Sequence, residues 1–311
     1  MSAGCPTIGR VVIAGGSGAV GSLFAERLQE SGCDVAIVDV AAPRPGRRAG
    51  CFVRGDIADP GPEVLGLVRT AGVVLLSVPE PVAVVAMGRL AGALRPDVLI
   101  ADTLSVKTRV VPTLLAAATA AGTEAEAVSL APMFAPSLGF AGHPVAAVVV
   151  RGGRRWHALR ALIEQWGARV VTMTSDQHDR VAAAAQALTH AAVIAFGAAL
   201  AELDVDIADL DRMAPPPHIA LLALLARIAA GTPAVYWDIQ AANPHAPAAR
   251  RALTRGLALV TDVVESGDPA AFATLLDRLC EVLGPLQSAY RERSEHGLRA
   301  ITADLTEETI R

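Results

Sequence analysis

The sequence predicts an α/β fold: a doubly wound, mainly parallel sheet in the first half, followed by an all-helical second half. Two observations carry this. Short Val/Ile/Leu runs alternate with longer helical patterns as far as about residue 173, and after Ser175 the strand signals stop. The predicted strands are 10–14, 34–39, 51–54, 73–78, 98–101, 128–130, 145–150 and 170–173. They are continuously apolar rather than alternating, as strands covered on both faces are. Pro215–Pro217, Gly231–Pro233, Pro244, Pro247 and Pro269 punctuate the later helices. The domains so read are 1–173 and 174–311.

With 311 residues, 52% of them apolar, the chain is long enough for two domains with sizeable cores. A net charge of −4 with no Lys/Arg block gives no electrostatic footprint for nucleic acid or an anionic membrane surface. Cys5, Cys33, Cys51 and Cys280 are scattered, with no CxxC pair and no histidine at metal-ligand spacing. They read as reduced thiols of a cytoplasmic protein without a bound metal. The early apolar run is broken by glycines, against a signal peptide. The run 181–203 is long enough to span a membrane, but it is mostly alanine and carries Gln186, Thr189 and His190. It reads as a helix buried inside a soluble domain or dimer.

Gly16-Ser17-Gly18-Ala19-Val20-Gly21 lies directly between a predicted strand and a helix. In that context the first glycine permits a tight turn, the second lets backbone approach a pyrophosphate, and the third lets helix and strand pack closely. The spacing is weak evidence in a glycine-rich chain, but the strand–turn–helix setting makes it a dinucleotide site of Rossmann type. Asp39, ending the second strand, stands where a carboxylate accepts from an adenosine ribose and repels a 2′-phosphate, which favours NAD over NADP. Arg44, Arg47 and Arg48 follow it and could instead clasp a phosphate. Ser77, Val78, Pro79 and Thr103, at neighbouring strand ends, are assigned to the same cofactor site.

Asp102-Thr103-Leu104-Ser105-Val106-Lys107 is read as a strand end leading into a helix, at the sheet edge where α/β proteins place ligands. Asp102 and Ser105 suit helix caps. Lys107 is the sole lysine among 27 basic residues, so the position either demands a compact ammonium or is a solvated helix residue.

These segments, with Ala131-Pro132-Met133-Phe134-Ala135-Pro136, Trp166-Gly167-Ala168-Arg169, His178-Asp179, Gln186-Ala187-Leu188-Thr189-His190 and Tyr236-Trp237-Asp238-Ile239, occur in the order and approximate spacing of the prephenate dehydrogenase family. The chain resembles that family over nearly its whole length. The resemblance implies oxidative decarboxylation of a cyclohexadienyl acid, in which hydride passes from ring C4 to NAD, carbon dioxide leaves C1 and the ring becomes aromatic. It also implies a homodimer through the helical domains. By the same resemblance Ser105, Lys107 and His178 are catalytic candidates, and Met133, His190, Arg227 and Tyr236 meet the substrate. Arg227, nine residues before Tyr236, matches the arginine that binds a substrate carboxylate, a task suited to its planar fork. Cap or packing roles for His178 and His190 remain open alternatives.

The chain departs from the family at Ala131, where the family has a histidine that takes the proton of the C4 hydroxyl. Losing a positioned base costs about 10²–10⁴-fold. One reading keeps prephenate, or arogenate, with Ser105, a water or another histidine, His143 or His218, in compensation. A second puts an amine at C4, as in 4-amino-4-deoxyprephenate giving 4-aminophenylpyruvate, because a neutral amine expels hydride without a concerted base. A third is a non-catalytic, nucleotide-binding homologue, and a fold-level rival is a hydroxyacid or imine reductase. The amine reading is preferred to prephenate itself, since it makes the missing histidine intelligible.

Overall fold

A computed structural model describes residues 5–42 and 51–309. Arg44, Arg47 and Arg48 lie outside the described residues. Contacts divide the chain into two units, Met1–Val181 and Ala182–Arg311.

The first unit is one eight-stranded sheet of β1 (Val11–Ala14), β2 (Val35–Asp39), β3 (Cys51–Arg54), β4 (Val73–Leu76), β5 (Leu99–Asp102), β6 (Glu126–Pro132), β7 (Pro144–Arg151) and β8 (Arg169–Thr172). Its order is β3-β2-β1-β4-β5-β6-β7-β8, parallel except where β7 runs against β6. Side chains alternate between the faces. Val12 and Ala14 of β1 face a core built with Val64 and Val68 of α3 (Pro62–Thr70), Met87 of α4 (Glu80–Leu90) and Leu114 of α5 (Val111–Ala121). Val11 and Ile13 face a second core with Ile8 of α1 (Cys5–Ile8), Phe24 and Leu28 of α2 (Ala19–Glu30), and Trp156 and Leu162 of α6 (Arg154–Gln165). The strand order reverses between β1 and β4, and α/β sheets bind ligands outside the carboxyl ends of the strands at that crevice.

All eight strands read from the sequence are present. The antiparallel β6–β7 pair was not legible, because a strand buried on both faces has the same apolar pattern whichever way it runs. The helix expected from Ser105 instead begins at Val111, with 103–110 forming a loop. Helix α7 (Ser175–Ala182) falls almost wholly within the first unit, past the 173/174 boundary read from where strand signals end.

The second unit holds helices alone among its described residues: a π-helical turn Ala183–Leu188, then α8 (Thr189–Glu202), α9 (Ile207–Met213), α10 (Pro216–Ala229), α11 (Pro233–Ala241), α12 (Ala246–Glu265), α13 (Pro269–Leu283) and α14 (Gln287–Thr309). Proline occupies the first turn of α10, α11, α12 and α13, where its missing N–H costs nothing. A small core forms around Ala187, Ile239 and Ala246, while Leu257, Val264, Phe272, Leu276 and Leu279 lie exposed in the single chain. The helical run Ser175–Glu202 is long and apolar enough to cross a membrane, and 22% of its apolar window is buried in one chain. Burial of the run 181–203 inside a single domain is therefore not what the chain alone provides.

Cys5 and Cys33 form a disulfide, which corrects the reading of four reduced thiols. Their sequence separation of 28 escapes a search for close-spaced pairs, but α1 and the residues after α2 enter the same core, bringing the Cα atoms to 5.0 Å. Cys51 and Cys280 are free and exposed. Thiol titration of the native, non-reduced protein should count two reactive groups, rising to four after unfolding in reductant; four at the outset would disprove the bridge.

Candidate active site

At the carboxyl end of β1 the chain turns into α2 through the glycine loop. The positive φ of this turn belongs to Gly15, at 77°, one residue ahead of the recognised signature. A Cβ at Gly15 would strike the Ser77 carbonyl oxygen, one at Gly21 the Gly15 carbonyl oxygen, and one at Gly16 would come within 2.5 Å of Ile37 Cγ2. The loop is thus pressed against β2 and β4 without side chains. Gly18, the N-cap of α2, offers no side chain to the helix N-terminus, which leaves the exposed Gly18–Ala19 edge to receive an anion. Val20 turns partly inward to pack on the α2 side.

Asp39 anchors this loop from the end of β2. Its carboxylate accepts from the Ser17 N–H and the Ala41 N–H, each at 2.9 Å, while the Ser17 hydroxyl donates to the Ala41 carbonyl. Across the crevice the Thr103 hydroxyl donates to that of Ser77 at 3.0 Å, joining the ends of β4 and β5. Val78 lies beside Gly15 and Pro79 is the N-cap of α4. Bare glycines, an uncapped helix start and an acid beside the loop fit the pyrophosphate and ribose of a dinucleotide.

Beneath the next strand end lies a buried ionic cluster. Lys107 is wholly buried; its ammonium donates to the carbonyls of Leu104 at 2.5 Å and Leu130 at 2.6 Å and pairs with Asp102 Oδ1 at 3.5 Å. Asp102 Oδ1 also accepts from the Leu104 N–H and the Ser129 hydroxyl. Burial pulls the lysine below its ordinary pKa, against the opposing pull of Asp102. Lys107 therefore clasps the 103–110 loop to β6, at the residue preceding Ala131. Ala131 itself is 5% exposed and pairs with Ala146 of β7.

The same loop is held from α7. Asp179, fully buried, accepts from the backbone N–H groups of Lys107 and Thr108 at 2.8 Å each and from the Thr108 hydroxyl at 2.6 Å. Its Oδ1 also meets His178 Nδ1 at 2.8 Å. Burial opposes its charge, but the bonds from His178, Thr108 and Lys107 together hold its carboxyl below the usual carboxylate range. An ionised carboxylate only accepts, so Nδ1 carries the proton. His178 is 2% exposed and its Nε2 is buried without a hydrogen-bond partner.

A further group forms within the helical unit. The π-helical turn frees a backbone carbonyl, and Gln240 Nε2 of α11 donates to Ala187 O at 2.7 Å. Gln240 is gripped in turn by Arg250 of α12. Helix α11 carries Tyr236, whose ring meets His190 of α8 edge-on at 5.0 Å. A Cβ on Gly231 would come within 2.5 Å of Tyr236 Cε2, so that glycine admits the ring. Arg227 closes the last turn of α10. Burial, and then the charge of Arg227, lower the His190 pKa, and its Nδ1 is buried without a partner.

Comparison with known proteins follows this geometry. A family model described as "Prephenate dehydrogenase, dimerization domain" matches residues 174–278. A 4-amino-4-deoxyprephenate dehydrogenase of Streptomyces pristinaespiralis is 54% identical over 282 residues, covering 90% of this chain and 93% of the relative. The chain belongs to the prephenate dehydrogenase family. As a member of that family it is a dehydrogenase. A T-protein of Enterobacter agglomerans is 29% identical over 95% of this chain and 73% of its own length. The fold is that of the A. aeolicus prephenate dehydrogenase crystallised with hydroxyphenyl propionate and NAD+, with a TM-score of 0.68 at 20% identity, covering 88% of this chain and 97% of that one.

For a prephenate dehydrogenase relative, the sequence reading of the residues needs two changes. Lys107, expected at the substrate, has no exposed surface and its donors are consumed by protein, so it acts as a clasp. Asp102 and Ser105 cap no helix; Asp102 bonds within the buried cluster, and Ser105 stands half-buried in the loop that Lys107 and Asp179 fix. Met133 is half-buried, its N–H bonded to Pro144 O. His143 is stacked on Phe134 at 5.0 Å and His218 lies against Phe196 at 5.5 Å. Asp179 and Gln240 were overlooked: the first stood in a quoted motif without a role, and the second has no local signature.

Two outcomes follow from these environments. Lys107→Met leaves Asp102 as an uncompensated buried charge and should cost about 3–5 kcal/mol in a urea unfolding titration; a loss under about 1 kcal/mol would contradict the clasp. Because His190 has a lowered pKa in the folded state, the unfolded chain binds more protons below the ordinary value of 6.5. Its contribution is complete above that pH and declines as pH falls toward the lowered value. His190→Gln should flatten the wild-type loss of stability in that acidic window, read as Tm against pH.

Proposed function

We propose that the protein carries out the NAD-dependent, aromatising oxidative decarboxylation of 4-amino-4-deoxyprephenate to 4-aminophenylpyruvate. The carrying observation is Ala131: a buried methyl group at the end of β6, where the family's base would stand, in a chain 54% identical to a relative named for that substrate.

The residues present account for the chemistry. NAD bound at the glycine loop would take the hydride leaving C4. Asp39 accepts from the ribose hydroxyls and its charge repels a 2′-phosphate, which selects against NADP. Arg227 engages a substrate carboxylate with its guanidinium fork, beside a neutral His190 that adds no second positive charge. On the first unit Met133 is the apolar surface and Ser105 the hydroxyl offered to the substrate, and on the second unit Tyr236 is the aromatic surface offered to it. On the substrate, the amine lone pair holds the cation left at C4 as an iminium. Loss of carbon dioxide from C1 then returns its electron pair to the ring, which becomes aromatic. A histidine at position 131 is unnecessary for hydride loss from the neutral amine and, when protonated, would repel the ammonium form in which the substrate arrives.

The exposed apolar side chains of α12 and α13, Leu257, Val264, Phe272, Leu276 and Leu279, form the homodimer face of a cytoplasmic enzyme. The test compares NADH formation from 4-amino-4-deoxyprephenate and prephenate on wild type and Ala131→His. Wild type should prefer the amine, and the histidine should shift the kcat/KM ratio toward prephenate by about 10²-fold. A wild-type preference for prephenate, or no change in the ratio, would refute the proposal.

A further inference from the structure

We infer that Asp179 is a positioning residue that holds His178 in the Nδ1–H form, so that its Nε2 can take a proton from the nitrogen at C4. The inference rests on the amine reading. An amine at C4 reaches the enzyme largely as an ammonium ion, whose nitrogen has no lone pair to expel hydride. One N–H bond must first break, with its electron pair staying on nitrogen and the proton going to an acceptor. Position 131 offers none.

The structure supplies a candidate acceptor on α7, tied through Asp179 to the same loop. His178 Nδ1 donates to Asp179 Oδ1 at 2.8 Å, and Nε2, on a side chain 2% exposed, is left without a partner. A buried ring nitrogen with no hydrogen bond is costly unless something occupies it during function. Asp179 also accepts from the backbone N–H groups of Lys107 and Thr108 and from the Thr108 hydroxyl, and Lys107 Nζ reaches Leu130 O, the residue before Ala131. One carboxylate therefore fixes the tautomer of the ring and the loop bearing Ser105.

Nitrogen-15 NMR of the imidazole side chains, assigned with His178→Ala, reads the tautomer directly in the free enzyme. Wild type at neutral pH should show the proton on Nδ1 and a bare Nε2; the proton on Nε2 would overturn the inference even if no variant folds. Asp179→Ala should release the ring to the other tautomer and lower kcat about 100-fold, with KM for NAD changed less than about twofold. His178→Ala should lose a similar factor, and the double variant no more than either alone. Multiplying losses would overturn the inference. Should wild type oxidise only prephenate, the amine reading fails, while the tautomer measurement still decides what Asp179 does.

Discussion

A single buried ammonium organises the strand-end loop. Lys107 has no access to water, and the only way to keep its charge there is to surround it with oxygen: two carbonyls and one carboxylate. Those oxygens belong to the end of β5, the loop after it and the middle of β6, so satisfying the charge fixes three segments at once. Asp179 repeats the arrangement with opposite sign, a buried carboxylate closed by backbone N–H groups of the same loop. The position of Ser105 and the backbone leading into Ala131 follow from these two charges. A guanidinium would not reproduce this arrangement, since it presents its donors in a planar fork rather than from one point.

The fold was largely legible because its signals are local. Apolar runs separated by helical spacing mark the eight strands, and the glycine signature marks the first turn. Gly15 shows the limit of such reading: its positive φ and its contact with Ser77 depend on β4, 62 residues further along the chain than β1, at the register Val11 with Val73 through Ala14 with Leu76. Lys107 is a second case. Its singularity in composition correctly marked the position, but sequence could not say whether an unusual cation faces a ligand or the interior. The π-helical turn before His190 is mostly alanine, which would propagate an ordinary helix, and Gln240, from another helix, bonds the carbonyl that it frees.

Absence also carried information. At position 131 the decisive feature is a methyl group, legible only against the family pattern, on a strand that Lys107 holds at the preceding residue. A scaffold that retains its clamps while losing the group they would serve points to altered chemistry rather than decay.

The disulfide closes a covalent ring through Cys5 and Cys33 that contains β1, the glycine loop and α2. A ring of that size removes roughly 3 kcal/mol of chain entropy from the unfolded state in the loop-closure model. The segment that must meet a dinucleotide is therefore the one whose disordered forms are most restricted, and its firmness is set by the thiol–disulfide balance of its surroundings. In a reducing compartment the ring opens, and the nucleotide-facing turn then relies on packing and on the hydrogen bonds of Asp39.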